Sequence, residues 1–257
     1  MDIIFATINL DYDGKNIKRI DLIHSIYDPV DIYVNGEQLI DSITLKKENQ
    51  IVYIYNEVRK EKCRNLFFDC SLLTSINLSR FNTKDETDMT SMFQGCSSLK
   101  SINLCNFNTD NVNSMENMFK DCESLLSLDL SSFNTSKVYT MEGMFESCET
   151  LTSLNLSNFN TKKVRYITGM FLRCKSLISL NLSNFNTNEV VFMGSMFVDC
   201  PSLTYLDITN FNCDKINKID GIFGGCHKLK IENVKYKDSK IGKLLSENLK
   251  SNTCMIN

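Results

Sequence analysis

The sequence predicts an α/β repeat fold, a right-handed solenoid of strand, turn and short helix, on three observations. The first is a single dominant self-offset of 26 residues, held over about seven copies. The second is a set of three columns at that offset: phenylalanine from Phe67 to Phe223, cysteine from Cys70 to Cys226 and leucine from Leu73 to Leu229. The third is a change of apolar period inside each copy, from helix-like to strand-like.

Each element of the unit has its own sequence reason. Leu99-Lys100-Ser101-Ile102-Asn103-Leu104 follows the L-x-x-L-x-L pattern of a leucine-rich-repeat strand. Val112, Met115, Met118, Phe119 and Cys122 fall on one face at helical spacing, which predicts the short helix. Thr109 precedes that stretch at the place of an N-cap. One such unit is amphipathic and cannot bury its apolar side alone, so neighbouring coils must stack. The methionine, phenylalanine, cysteine and leucine columns then point inward, each fully buried Phe or Leu contributing roughly 1.5–3 kcal/mol.

These residues resemble the BspA-like leucine-rich-repeat surface proteins, whose 26-residue unit reads approximately M-x-x-M-F-x-x-C-x-x-L-x-x-L-[DN]-L-S-x-F-[DN]-T. Met118-Phe119, Cys122, Leu125, Leu128-Asp129-Leu130-Ser131 and Phe133-Asn134-Thr135 carry the match, which covers about residues 64–229. The resemblance implies a surface solenoid used for adhesion and protein binding.

The ends lack the repeat. Residues 1–62 read as a small β-rich domain, with strands at Ile3–Leu10, Asp31–Val34 and Gln50–Tyr55 and a hairpin turn at Asn35-Gly36. This segment is either a cap over the first coil or a separate binding module. The solenoid runs over 63–230, and 231–257 reads as a C-terminal cap helix, with Ile241, Leu244, Leu245 and Leu249 at helical spacing among lysines. A basic amphipathic helix of this kind also suits a membrane surface or a partner's groove.

Composition narrows the function classes. Of 257 residues, 42% are hydrophobic and 23% charged, enough for real cores, and the 10 glycines and 2 prolines argue against disordered linkers. A net charge of −3 gives no global basic field, so nucleic acid is not an expected partner. Met1-Asp2-Ile3-Ile4-Phe5 carries no basic leader, and no apolar run reaches roughly 18 residues, so neither secretion nor direct membrane insertion is expected. Absent leader and abundant cysteine point to the cytoplasm, whereas the resemblance points to the cell surface.

Chemistry finds little footing. Seven of the 11 cysteines belong to the repeat column between a core phenylalanine and a core leucine, and are read as buried reduced thiols rather than disulfides or metal ligands. Cys63, Cys105, Cys213 and Cys254 lie outside it, and Cys105 takes an outward position held by serine in other copies. The two histidines, His24 and His227, accompany no triad, and Gly224-Gly225 does not extend into a phosphate loop. No catalytic residue, cofactor or metal is expected.

A binding surface is the better expectation, and departures from the repeat locate it. On the strand side, serine and Asn/Asp ladders suit either a partner or a solvated sheet, and Tyr205 breaks the serine line. On the other side, Tyr166 and Phe192 stand where other copies have Thr140 and Lys218, and Leu172 and Val198 where others have Glu146 and Gly224. Val191, Arg165, Arg173, Lys162 and Lys163 surround them in sequence, giving the composition of an interface hot spot. The expected function is a non-enzymatic interaction or adhesion module with a protein partner, a glycan being the second class. The alternative is a structural component of a larger intracellular assembly.

Overall fold

The computed structural model describes strand segments within residues 2–55 and then residues 63–250, apart from positions 218 and 220. Coils stack with residues 26 apart side by side. Strand β7 (Leu73–Asn77) pairs in parallel with β8 (Ser101–Asn103), setting Ser75 beside Ser101 and Ile76 beside Ile102. Strands β9 (Ser179–Asn181) and β10 (Tyr205–Asp207) repeat the arrangement, and single parallel bridges join Asp88, Ser114, Thr140, Tyr166 and Phe192 in succession.

The predicted short helix of each repeat is not formed. The residues two before and two after each core phenylalanine are left-handed, for example Asn117 (φ 54°) and Asp121 (φ 58°) around Phe119, or Gly143 (φ 59°) and Ser147 (φ 57°) around Phe145. A left-handed residue every fourth position cannot continue a right-handed helix. Alternate N–H groups instead reach the next coil: Asn117 to Glu142 (2.8 Å), Phe119 to Met144 (3.0 Å) and Asp121 to Glu146 (2.8 Å). Those between close local turns, Met118 onto Met115 (3.3 Å) and Cys122 onto Phe119 (3.2 Å). The apolar side chains share one face as the spacing predicts, but a ladder of turns holds them there.

Thr109 is consequently not an N-cap. Its hydroxyl donates to the Asn134 carbonyl of the next coil (3.0 Å) and accepts the Asn134 N–H (2.8 Å). Thr83, Thr135, Thr161 and Thr187 bridge their coils in the same way. The preceding asparagines close a local turn, Asn134 Oδ1 accepting the Ser136 N–H at 3.1 Å.

A strand does not form in every repeat either. Leu78 N–H reaches the Asn103 carbonyl (3.0 Å) and Leu182 N–H that of Asp207 (2.7 Å), but among the described residues Leu104, Leu130 and Leu156 make no equivalent bond. A cavity of about 120 Å³ lies there, lined by Leu128, Leu130, Asn155 and Asn158, and the Asn158 amide joins the coils instead by donating to the Leu130 carbonyl (2.9 Å).

Inside, the repeat makes ladders. Phe67, Phe93, Phe119, Phe145, Phe171, Phe197 and Phe223 stack in order with ring centroids 5.4–5.9 Å apart, and such pairs are worth roughly 0.5–1.5 kcal/mol beyond their burial. Each column thiol donates to the phenylalanine carbonyl 29 residues earlier, from Cys96 to Phe67 (3.1 Å) through Cys226 to Phe197 (2.9 Å). Cysteine thus supplies a small apolar body and a donor for a buried acceptor.

At the N-terminal end, β1 (Asp2–Ile8), β2 (Asn16–Lys18), β3 (Val30–Val34), β4 (Glu37–Gln38), β5 (Ser42–Thr44) and β6 (Gln50–Tyr55) precede the coils. β1 pairs antiparallel with β7, Ala6 opposite Ile76, so one sheet of order β4-β3-β6-β1-β7-β8 runs from this segment into the first coil. Asn35 and Gly36 lie outside the described residues, and the strands they join pair antiparallel with Val34 opposite Glu37. At the other end, β11 (Val234–Lys235) pairs in parallel with β10 and is followed by α1 (Ser239–Lys250). Asp238, 26 residues after Asn212, accepts the Cys213 N–H (3.0 Å), and its other oxygen accepts those of Lys240 (2.8 Å) and Ile241 (3.2 Å) to start the helix. Ile241, Leu245 and Leu249 bury into the same core as the coils.

Candidate partner-binding face

Five residues before each core phenylalanine, Ser114 and Thr140 are small enough to be buried in their coils. Tyr166 and Phe192 are not. Their rings stack outside at 5.7 Å with an interplanar angle of 11°, and Phe192 remains 39% exposed. A third ring extends the ladder: Tyr139 meets Tyr166 edge-on at 6.4 Å and is 45% exposed. Tyr139 was legible, because Asn113 and Asn217 hold its column in other copies, but it sits one position off the column of Tyr166 and Phe192.

Arg165 and Val191 share the column of Tyr139. Arg165 N–H donates to the Tyr139 carbonyl (2.8 Å) and Val191 N–H to that of Arg165 (2.9 Å), which fixes the three in register. Arg165 is exposed and Val191 half-buried. The edge carries charge as well, Lys215 Nζ lying 2.6 Å from Glu189 Oε1. The Lys215 hydrogen bond and charge, with a smaller contribution from Arg165, hold the Glu189 carboxyl below its usual range.

The other candidates fall elsewhere. Leu172 and Val198 directly follow their core phenylalanines and are half-buried; they lie against Gly169 and Gly224, whose added Cβ atoms would sit 3.6 and 3.8 Å from them. Arg173 lines a separate groove with Lys175 and Asp199. Tyr205 sits on β10, with Lys235 Nζ 5.6 Å from its ring and its hydroxyl 3.5 Å from Asp207. The structure therefore joins Tyr166, Phe192, Arg165 and Val191, adds Tyr139, and separates Arg173 and Tyr205 from them.

The repeated nucleophile of the chain is held inert. Burial pushes the column thiols up, Cys226 to about 12, so they stay protonated. Cys226 is buried while the adjacent His227 is exposed. Cys105 is exposed. Among the described residues no group of three or more His, Cys, Asp or Glu could hold a metal ion, and no helix is long and apolar enough to cross a membrane. His24 and Cys254 lie outside the described residues.

Two stretches, residues 61–177 and 149–253, match a family described as a Mycoplasma protein of unknown function, DUF285. The chain belongs to the DUF285 family. Together the two overlapping stretches of this DUF285 chain run from near the first coil to past α1. The crystal structure of a leucine-rich repeat protein of T. pallidum is similar over 73% of this chain and 75% of that one, with 21% identity and a TM-score of 0.44. No curated protein matches the chain.

Proposed function

We propose that this DUF285 chain is a protein-binding module that engages its partner through the ladder of Tyr139, Tyr166 and Phe192, in which Tyr139 and Phe192 are exposed and Tyr166 is half-buried between them. The observation that carries the reading is the outward stack itself. Three adjacent rings in two neighbouring columns that earlier coils fill with polar residues expose apolar area without serving the core, and such patches mark interaction sites. Tyrosine and arginine are the side chains that dominate interface energetics, and Arg165 stands beside the ladder. A protein partner is favoured over a glycan because the arginine and aromatic side chains brought together here are the types that dominate protein interfaces.

The binding does no chemistry in this reading: the repeated thiols are protonated and engaged as donors. The β1–β7 pairing supports the N-terminal segment as a cap of the first coil, and the buried face of α1 supports it as the cap of the last. Surface display of the BspA-like kind, with adhesion as the task, is the finer form of the proposal and rests on the repeat pattern of Met118 to Thr135.

A second reading, a component of an intracellular assembly, is favoured by the free thiols from Cys96 to Cys226, which donate to carbonyls and form no disulfides. Pull-down from source cells with the wild type and with a Tyr139→Ser, Tyr166→Ser, Phe192→Ser variant tests the binding reading. A partner retained only by the wild type is expected, and its compartment decides between surface and interior. Identical partners on both chains would remove the ladder from the account.

A further inference from the structure

A groove of about 450 Å³ crosses five coils, lined by Asp121, Glu123, Glu149, Arg173, Lys175 and Asp199, with His227 at its end. Its walls are the columns two and four residues after each core phenylalanine, so the charges succeed one another coil by coil along its length. Glu149 and Lys175 neutralise each other at 2.6 Å. Among the described residues no hydrogen bond or ion pair reaches the side chains of Asp121, Glu123 or Arg173. Asp199 turns over Gly225, toward the following coil, rather than pairing with Arg173. The groove therefore holds the free carboxylates of Asp121 and Glu123 and, two coils further on, the free guanidinium of Arg173, with Asp199 one coil beyond it.

Arg173 has no local reason to be arginine. Its backbone is left-handed (φ 60°), and the equivalent positions hold Asp, Gly or Ser, residues that tolerate that conformation. We propose that this groove receives an extended segment of a partner protein in the polyproline II conformation, with a basic residue facing Asp121 and Glu123 and an acidic residue three positions away facing Arg173.

The spacing follows from the repeat. Neighbouring strands of a ladder lie about 4.8 Å apart, so two coils span roughly 10 Å. A polyproline II chain has three residues per turn and a rise of about 3.1 Å, which returns side chains i and i+3 to one edge at nearly that distance. A flat β-strand puts i and i+3 on opposite faces and fits less well. The surface is distinct from the aromatic ladder, and its test is independent of it.

Fluorescence anisotropy of the full chain with labelled probes containing Lys-Pro-Pro-Glu, Lys-Pro-Pro-Lys or Glu-Pro-Pro-Glu tests the proposal. Wild type is expected to bind the mixed probe about fivefold more tightly than the dibasic one, the scale of one exposed ion pair. Arg173→Glu should invert that order, and Arg173→Gly, which suits the left-handed backbone, should abolish the preference while the chain stays folded. Tyr166→Ser with Phe192→Ser should leave the order intact. Equal binding of the probes, no binding of any, or an unchanged order in Arg173→Glu overturns the proposal.

Discussion

Thr135 offers a test of how the coils are joined. Its side chain is fully buried; the hydroxyl donates to the Asn160 carbonyl at 3.1 Å and accepts the Asn160 N–H at 2.8 Å. Thr135→Val keeps the shape and strips both bonds, leaving a backbone donor and acceptor of the next coil without partners. Each such group costs about 1–3 kcal/mol, and because these bonds are only partly buried the lower end applies, giving about 2–3 kcal/mol for the pair. Thr135→Ser keeps both bonds and loses one methyl, worth about 1 kcal/mol. Urea unfolding should therefore rank wild type above Ser and Ser above Val, with a midpoint about 1 M lower for Val at the slope usual for urea. Amide exchange at Asn160 should accelerate in Val and change little in Ser. If Val equals or exceeds Ser in stability, the threonine column does not work through its hydroxyls and the coil-bridging account fails.

Two further outcomes are expected. Burial raises the Asp88 carboxyl, but the Thr90 hydroxyl and N–H (2.8 Å) and the Arg64 guanidinium (2.6 Å) outweigh that and hold it below its ordinary value of 3.8. A depressed carboxyl stabilises the fold above its unfolded value and loses that contribution as pH falls through the folded one. The urea midpoints of wild type and Asp88→Asn should thus differ at pH 7 and converge toward pH 3; a constant gap excludes this role. Mass-spectrometric mapping after brief treatment with a thiol reagent should find Cys105 modified and Cys96, Cys122, Cys148, Cys174, Cys200 and Cys226 protected until the chain unfolds. Early labelling of the column would mean that the core is open.

The repeat length, the inward columns and the terminal helix were legible because stacking demands that equivalent residues meet, and a buried column tolerates few residue types. The helix within each repeat was misread. Apolar spacing reports which side chains share a face, and the turn ladder reproduces that spacing without helical backbone. The corrective signal was present in Asn117, Gly143, Gly169 and Asp121, Asp199, Gly225, two columns of residue types that tolerate the left-handed region. The missing strand pairing near Leu130 and Leu156 has no such signal, since their Leu-x-Leu patterns match those of the paired coils. For the candidate site, Tyr166 and Phe192 stood out as exceptions within one column and do stack. Arg173 is grouped with them by composition, which does not encode the side of the coil on which a residue emerges, whereas Tyr205 is read on the strand side and does lie there, on β10.

Site-directed photo-crosslinking in source cells addresses the central claim most directly. A photoreactive phenylalanine analogue at position 139, 166 or 192 is compared with the same analogue at Ser127 or Ser153, exposed on the strand side. The account predicts one partner captured from the three ladder positions and none from the two serines. Capture from the serines with silence at the ladder would contradict it and move the interaction surface to the strand side.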